Sequence, residues 1–215
     1  MLLGLEIIVS ENAEAVLGVV RTVAEQVQAK VLVSDDLDTY KRVADTLGLD
    51  HQICRSHVKR NVDALAEELG EQLKTKEPIP AGVNSSPEQL EKDLEQLEEL
   101  VRARPPDAEE RLEQFYARYQ QAQQPKAGER HTVWFRMRML ITRLWERWHR
   151  LTLDQRRGDL DGTNNSAERM IGWWIKQRYR TMRGYKRTES VLNVVTLTAH
   201  LGVRSGNYDM TALYA

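Results

Sequence analysis

The spacing of apolar residues changes several times along the chain, and each change predicts an element. Residues 2–9, LLGLEIIV, form a short apolar block, β-branched towards its end, that predicts a strand. Over residues 11–28, Ala15, Val16, Val19, Val20, Val23 and Val27 recur at helical spacing, with Ser10 placed to cap. Residues 30–34, KVLVS, read as a buried strand that stops at Asp35-Asp36. A helix is expected from about Leu37 to Gly48, a residue type suited to the left-handed position that ends helices. Residues 51–54 predict a third short strand, and a helix follows from Arg55 towards Leu69. Strand–helix–strand–helix–strand is the order of a parallel α/β sheet.

The pattern then lapses until Ser86-Pro87, with Pro78, Pro80 and Gly82 breaking any helix. From there Leu90, Leu94, Leu97 and Val101 form a heptad-like seam that ends before Pro105-Pro106. A helix from near Asp107 carries Leu112, Phe115, Tyr116 and Tyr119. A longer one over 129–151 points Trp134, Met137, Ile141, Leu144, Trp145 and Trp148 inward, with Arg136, Arg143, Arg147 and Arg150 mainly on other faces. Over 161–187 a further helix is expected, with Asn165 as cap and Glu168 three residues later, the spacing of a capping box. Its apolar side holds Ala167, Met170, Ile171, Trp174 and Ile175, and its basic side Arg169, Lys176 and Arg180. Residues 188–201 predict a last helix closed by Gly202, then a tail.

Charge changes this picture. The net charge of −1 hides a strong division along the chain. Residues 60–129 carry 9 Lys/Arg against 16 Asp/Glu, whereas residues 130–189 carry 15 against 6. So basic a block points to a polyanionic partner, although pairing with acids of the same chain would also use it. The single Cys54 excludes an internal disulfide framework and fits a reducing compartment. The opening residues lack a basic leader and are too short to span a bilayer, so a cytoplasmic protein with no membrane partner is expected.

Carboxylates at strand ends are where parallel sheets keep their chemistry. Asp35 is the first residue off the second strand: Ser34, Asp35 or Asp36 capping the next helix is the first reading, and a metal ligand at Asp35 the second. HQICRSH brings His51, Cys54 and His57 close in sequence, but with no second cysteine and with His51 directed away by the strand-to-helix passage it falls short of a zinc site. Cys54 and His57 are expected to share one helix face. Glu168, in a first helical turn beside a basic stripe, could hold a metal where a phosphodiester passes, or could serve only the cap.

Taken in order, Asp35, the C-x2-H pair of Cys54 and His57, an all-helical stretch, and Thr-Asn-Asn-x-x-Glu ending at Glu168 resemble the DDE transposases of bacterial insertion sequences. The helical insertion before the last acid also resembles the Mutator-like and hAT groups. The likeness covers about residues 1–60 and 160–190. It implies an α/β chain, a partial RNase H-like fold with a large all-helical insertion. Residues 1–69 would begin the core from its third strand, 70–151 form the insertion, 152–203 complete the core and 204–215 trail as a tail.

By that resemblance Asp35 and Glu168 are the second and third carboxylates that hold Mg²⁺ or Mn²⁺. Cys54, His57, Asn164 and Asn165 are motif residues, and Arg169, Lys176, Arg180, Arg183, Lys186 and Arg187 contact DNA phosphates. Transposon ends and target DNA are the implied partners, with a second copy or a full-length transposase beside them, at the bacterial nucleoid. The first carboxylate has no counterpart, since the opening strand leads straight into a helix and its one acid, Glu6, lies mid-strand. The expectation is an N-terminally truncated transposase unable to hold both ions. The alternatives are a non-catalytic DNA-binding regulator of transposition and a helical scaffold that dimerises through the Leu90–Val101 seam.

Overall fold

A computed structural model describes residues 12–165, 168, 169 and 193. The strand expected over 2–9, the apolar face of the 161–187 helix, residues 188–201 other than Asn193, and the tail lie outside them. Element order is α1 (Ala13–Val27), β1 (Val31–Ser34), α2 (Asp38–Leu47), β2 (Asp50–Ile53), α3 (Arg55–Leu73), α4 (Pro87–Ala103), α5 (Ala108–Tyr119), α6 (Val133–Leu151) and α7 (Leu153–Arg156).

β1 and β2 pair in a two-stranded sheet. The Asp50 N–H donates to the Lys30 C=O at 3.0 Å and the Cys54 N–H to the Ser34 C=O at 2.7 Å. The offset between partners is the same at both ends, so the strands run parallel. α2 makes the crossover, and Gly48 ends it at φ 64°, a conformation that costs glycine nothing.

The chain divides into two compact units. One holds α1, α2 and the described residues from Asn164 onward; the other holds Val33–Asp36 and His51–Thr163. In the first, α1 packs on α2, and the α1 cap is Asn12, whose side chain accepts from the Ala15 N–H, rather than Ser10. In the second, α4 packs on α3, and α6 on α5 and α3. Ser86 caps α4 with Pro87 behind it. α6 starts later than the apolar spacing suggests, because Thr132 accepts the Phe135 N–H and sets the first turn there.

Leu90, Leu94, Leu97 and Val101 are buried, in one core with Val58 and Val62 of α3, Leu112 and Phe115 of α5, and Trp134, Met137 and Trp148 of α6. Each large side chain so placed contributes roughly 1.5–3 kcal/mol. Trp145 departs from the expectation: it is 38% exposed and packs a tilted ring on Tyr116.

One charge sits inside this core. Asp93 is fully buried and accepts from the Tyr119 hydroxyl and from Gln89, both at 2.8 Å, while Arg118 closes an ion pair. The Tyr119 proton faces Asp93, so Ser85 is the donor in its bond to the Tyr119 oxygen. Burial pushes the Tyr119 phenol well above its ordinary range. Asp93→Ala would leave the hydroxyl and the guanidinium without their acceptor, and urea unfolding should show a loss of about 3–5 kcal/mol; a loss under ~1 kcal/mol would refute the account. The raised Tyr119 pKa also has a sign. The unfolded phenol ionises near ~10, so the stability that burial ties to the neutral form is intact below that pH and lost above it. Tyr119→Phe should flatten the alkaline fall in stability measured by unfolding from pH ~9 to ~11.

Candidate functional site at the carboxyl ends of the strands

β1 ends at Ser34, and the two acids that stop it go separate ways. Asp35, half-buried, is the first residue past the strand. Asp36 is buried and lies in ion pairs with Arg143, at 2.9 Å, and Arg147. Its backbone C=O accepts from the same two side chains, at 3.0 and 2.9 Å. Leu37 holds the cap position of α2, with no cap bond from its own side chain. Asp36 is engaged instead by cations that α6 brings from far along the chain.

β2 supplies the other wall. His51 is buried between Arg150 and Ser34. Arg150 donates to His51 Nδ1 at 3.1 Å, and an arginine can only donate, so Nδ1 is the acceptor and the ring proton sits on Nε2. Nε2–H then donates to Ser34 Oγ at 2.9 Å, and the Ser34 hydroxyl donates to the Asp35 C=O at 2.9 Å.

Cys54 is fully buried at the cap position of α3, in non-helical conformation (φ −59°, ψ 112°). It therefore does not share a helix face with His57 as expected. The pair meets through the backbone, the His57 N–H donating to the Cys54 C=O at 3.1 Å. Among the described residues, no three His, Cys, Asp or Glu side chains gather as a metal cluster.

The chain comes back to this edge after α7. The Arg55 N–H donates to the Gly162 C=O at 3.0 Å, which sets Gly162 at the start of α3. Gly162 is buried, and a Cβ there would lie 2.7 Å from Cγ of Asp154. Asp154 cannot give way easily: Arg104 pairs with it at 2.6 Å, and its N–H donates to Gln52 Oε1 at 2.8 Å. Gln52, buried on β2, also donates to the C=O groups of Ile53 and Leu151. Thr163 follows, its N–H and hydroxyl both donating to Asp161 at 3.1 Å. Gly162 and the Gln52–Asp154–Arg104 bridge carry no local sequence signal beyond a lone glycine, and spacing alone did not find them.

Asn164, Asn165, Glu168 and Arg169 belong to the other unit, so Asp35 and Glu168 lie in different units. Asn164 and Asn165 are half-buried; Glu168 and Arg169 are exposed. The Glu168 N–H donates to the Asn164 C=O at 3.0 Å, so Asn164 rather than Asn165 takes the cap position. Glu168 is then the fourth helical residue, one past the capping-box register. Lys176, Arg180, Arg183, Lys186 and Arg187 lie outside the described residues. No described helix is long and apolar enough to cross a membrane.

The model of the transposase IS66 family matches residues 15–186. No curated protein and no solved structure matches the chain.

The crowding at Gly162 is directly testable. Gly162→Ala should cost about 1–3 kcal/mol in urea unfolding through overpacking against Asp154. Gly158→Ala, where a Cβ meets nothing within 4 Å, should stay within ~0.5 kcal/mol. Equal effects at the two glycines would remove the close approach as the reason for Gly162.

Proposed function

The chain belongs to the IS66 transposase family, and from that premise we propose that it acts in DDE-type transposition, with Asp35 and Glu168 as metal-holding carboxylates on an RNase H-like core. The observation that carries the reading is the position of Asp35, half-buried directly off the carboxyl end of a parallel strand, with its neighbour Asp36 paired to arginines. Carboxylate oxygens are the donors that Mg²⁺ and Mn²⁺ prefer, so the donor chemistry fits. Held by Asp35 and Glu168, such ions would supply activation of water or a DNA 3′-hydroxyl and charge stabilisation at the leaving oxygen of a phosphodiester.

The chain's own residues hold and orient. Asp35 and Glu168 contribute two of the three carboxylates that the DDE pattern uses. Arg169, Lys176, Arg180, Arg183, Lys186 and Arg187 bind phosphates of transposon ends and target DNA, which fixes register without reading sequence. Asn164 and Asn165 place Glu168 at the opening of its helix.

Two measurements test the reading. With Fe²⁺ and ascorbate in place of Mg²⁺, hydroxyl radicals should cut the backbone near residues 35 and 168, and Asp35→Ala should abolish both cuts; cutting at neither place would sink the site assignment. Anisotropy of a labelled transposon-end duplex should show log K falling with log salt at a slope of about −5 for six phosphate contacts. Reversing the charge of Arg169, Lys176 and Arg180 should flatten that slope by about 3. A slope unchanged by the reversal would assign DNA contact elsewhere.

A further inference from the structure

Asp35 and Asp36 are adjacent acids, and an ion at the strand end could in principle recruit either. We propose that Asp36, clamped by Arg143 and Arg147, is a positioning residue that presents Asp35 as the ligand of the pair and ties its orientation to the helical segment carrying α6. The inference rests on the metal-binding reading of Asp35.

Three successive carbonyls fix the backbone here. The Ser34 C=O accepts from the Cys54 N–H at 2.7 Å, the Asp35 C=O from the Ser34 hydroxyl at 2.9 Å, and the Asp36 C=O from Arg143 and Arg147 at 3.0 and 2.9 Å. Peptide groups on both sides of Asp35 are thus held, which sets the direction of its Cα–Cβ bond. The anchors come from the cap residue of α3, from Ser34 at the end of β1 and from α6, so the turn is gripped from several elements at once.

Charge adds a second effect. The Asp36 carboxylate is 7% exposed and meets two guanidinium groups. Left unpaired one residue from Asp35, it would compete for the same cation; paired, it is withdrawn. Arg143, Arg147 and Arg150 are spaced four and then three residues apart, which lines them along one face of α6. Two take Asp36, and Arg150 reaches the other flank through His51 and Ser34. Groups that orient a metal ligand in this way change metal affinity by about 10–100-fold when removed.

The test compares the whole chain with Asp36→Asn, Arg147→Gln, Arg147→Lys and Asp35→Asn, reading amide hydrogen exchange and Mn²⁺ binding by electron paramagnetic resonance. Asp36→Asn and Arg147→Gln should speed exchange at residues 34–37 about tenfold and weaken Mn²⁺ about tenfold, with protection in α3, α4 and α5 unchanged. Arg147→Lys, which keeps the charge, should recover most of the Mn²⁺ affinity. Unchanged exchange at 34–37 in both variants overturns the clamp, and so does a loss of protection spread through α3, α4 and α5. Mn²⁺ behaviour that Asp35→Asn leaves unaltered refutes Asp35 as ligand instead, and the exchange result still decides the clamp.

Discussion

A polar group taken out of water must find a partner, or it costs more than most single contacts can return. The second unit is organised by that constraint. Gln52, His51, Asp36, Asp93 and Asp154 all lie in or near the interior, and each is answered from a distant part of the sequence. Leu151 and Asp154 meet Gln52, Arg150 meets His51, Arg143 and Arg147 meet Asp36, and Arg104 meets Asp154. Hydrophobic burial along α3, α4, α5 and α6 supplies the bulk of the cohesion but little direction. The polar pairs fix which turn of α6 lies beside which strand end, since a shift of one turn would strand several charges together.

That requirement alters the meaning of the basic block. By count, residues 130–189 look like one cationic surface. In three dimensions its α6 part is largely committed within the molecule: Arg136 to Glu68 and Gln72, Arg138 to the C=O groups of Gln120 and Ala122, Arg143 and Arg147 to Asp36. Internal pairing, one of the two uses that composition left open, thus takes up the α6 part of the block.

What the sequence made legible was whatever is decided locally. β1 stops at Asp35, α2 ends at Gly48, Ser86-Pro87 starts α4 and the apolar seam of α4 faces inward, because turn chemistry and periodicity act over a few residues. Single-residue placement of caps was less legible. Asn12 caps α1 and Asn164 the helix that opens before Glu168, one or two residues from the positions the sequence suggested, because neighbouring residues of cap-forming type look alike locally. Long-range partners left no local trace. Nothing near Asp36 announces Arg147, and nothing near Gly162 announces Asp154, so the carboxylate that looked like a cap proved to be an anchor. Trp145 shows the same limit from the apolar side: it lies near the edge of the buried stripe of α6, and contact with Tyr116 leaves its ring partly in water.

The α4 seam also bears on what the protein does. Leu90, Leu94, Leu97 and Val101 are spaced as a dimerising helix would space them, yet all four are already buried against the chain's own helices. To offer that seam to a second copy, α4 would have to leave α3 and expose Asp93, whose charge is matched by Arg118 and Tyr119 of α5. Freeing the seam would give up that pairing along with the apolar contacts, a combined cost that a new helix pair of the same length would have to exceed. The heptad spacing is therefore a property of the core, and the scaffold reading loses the surface on which it depended.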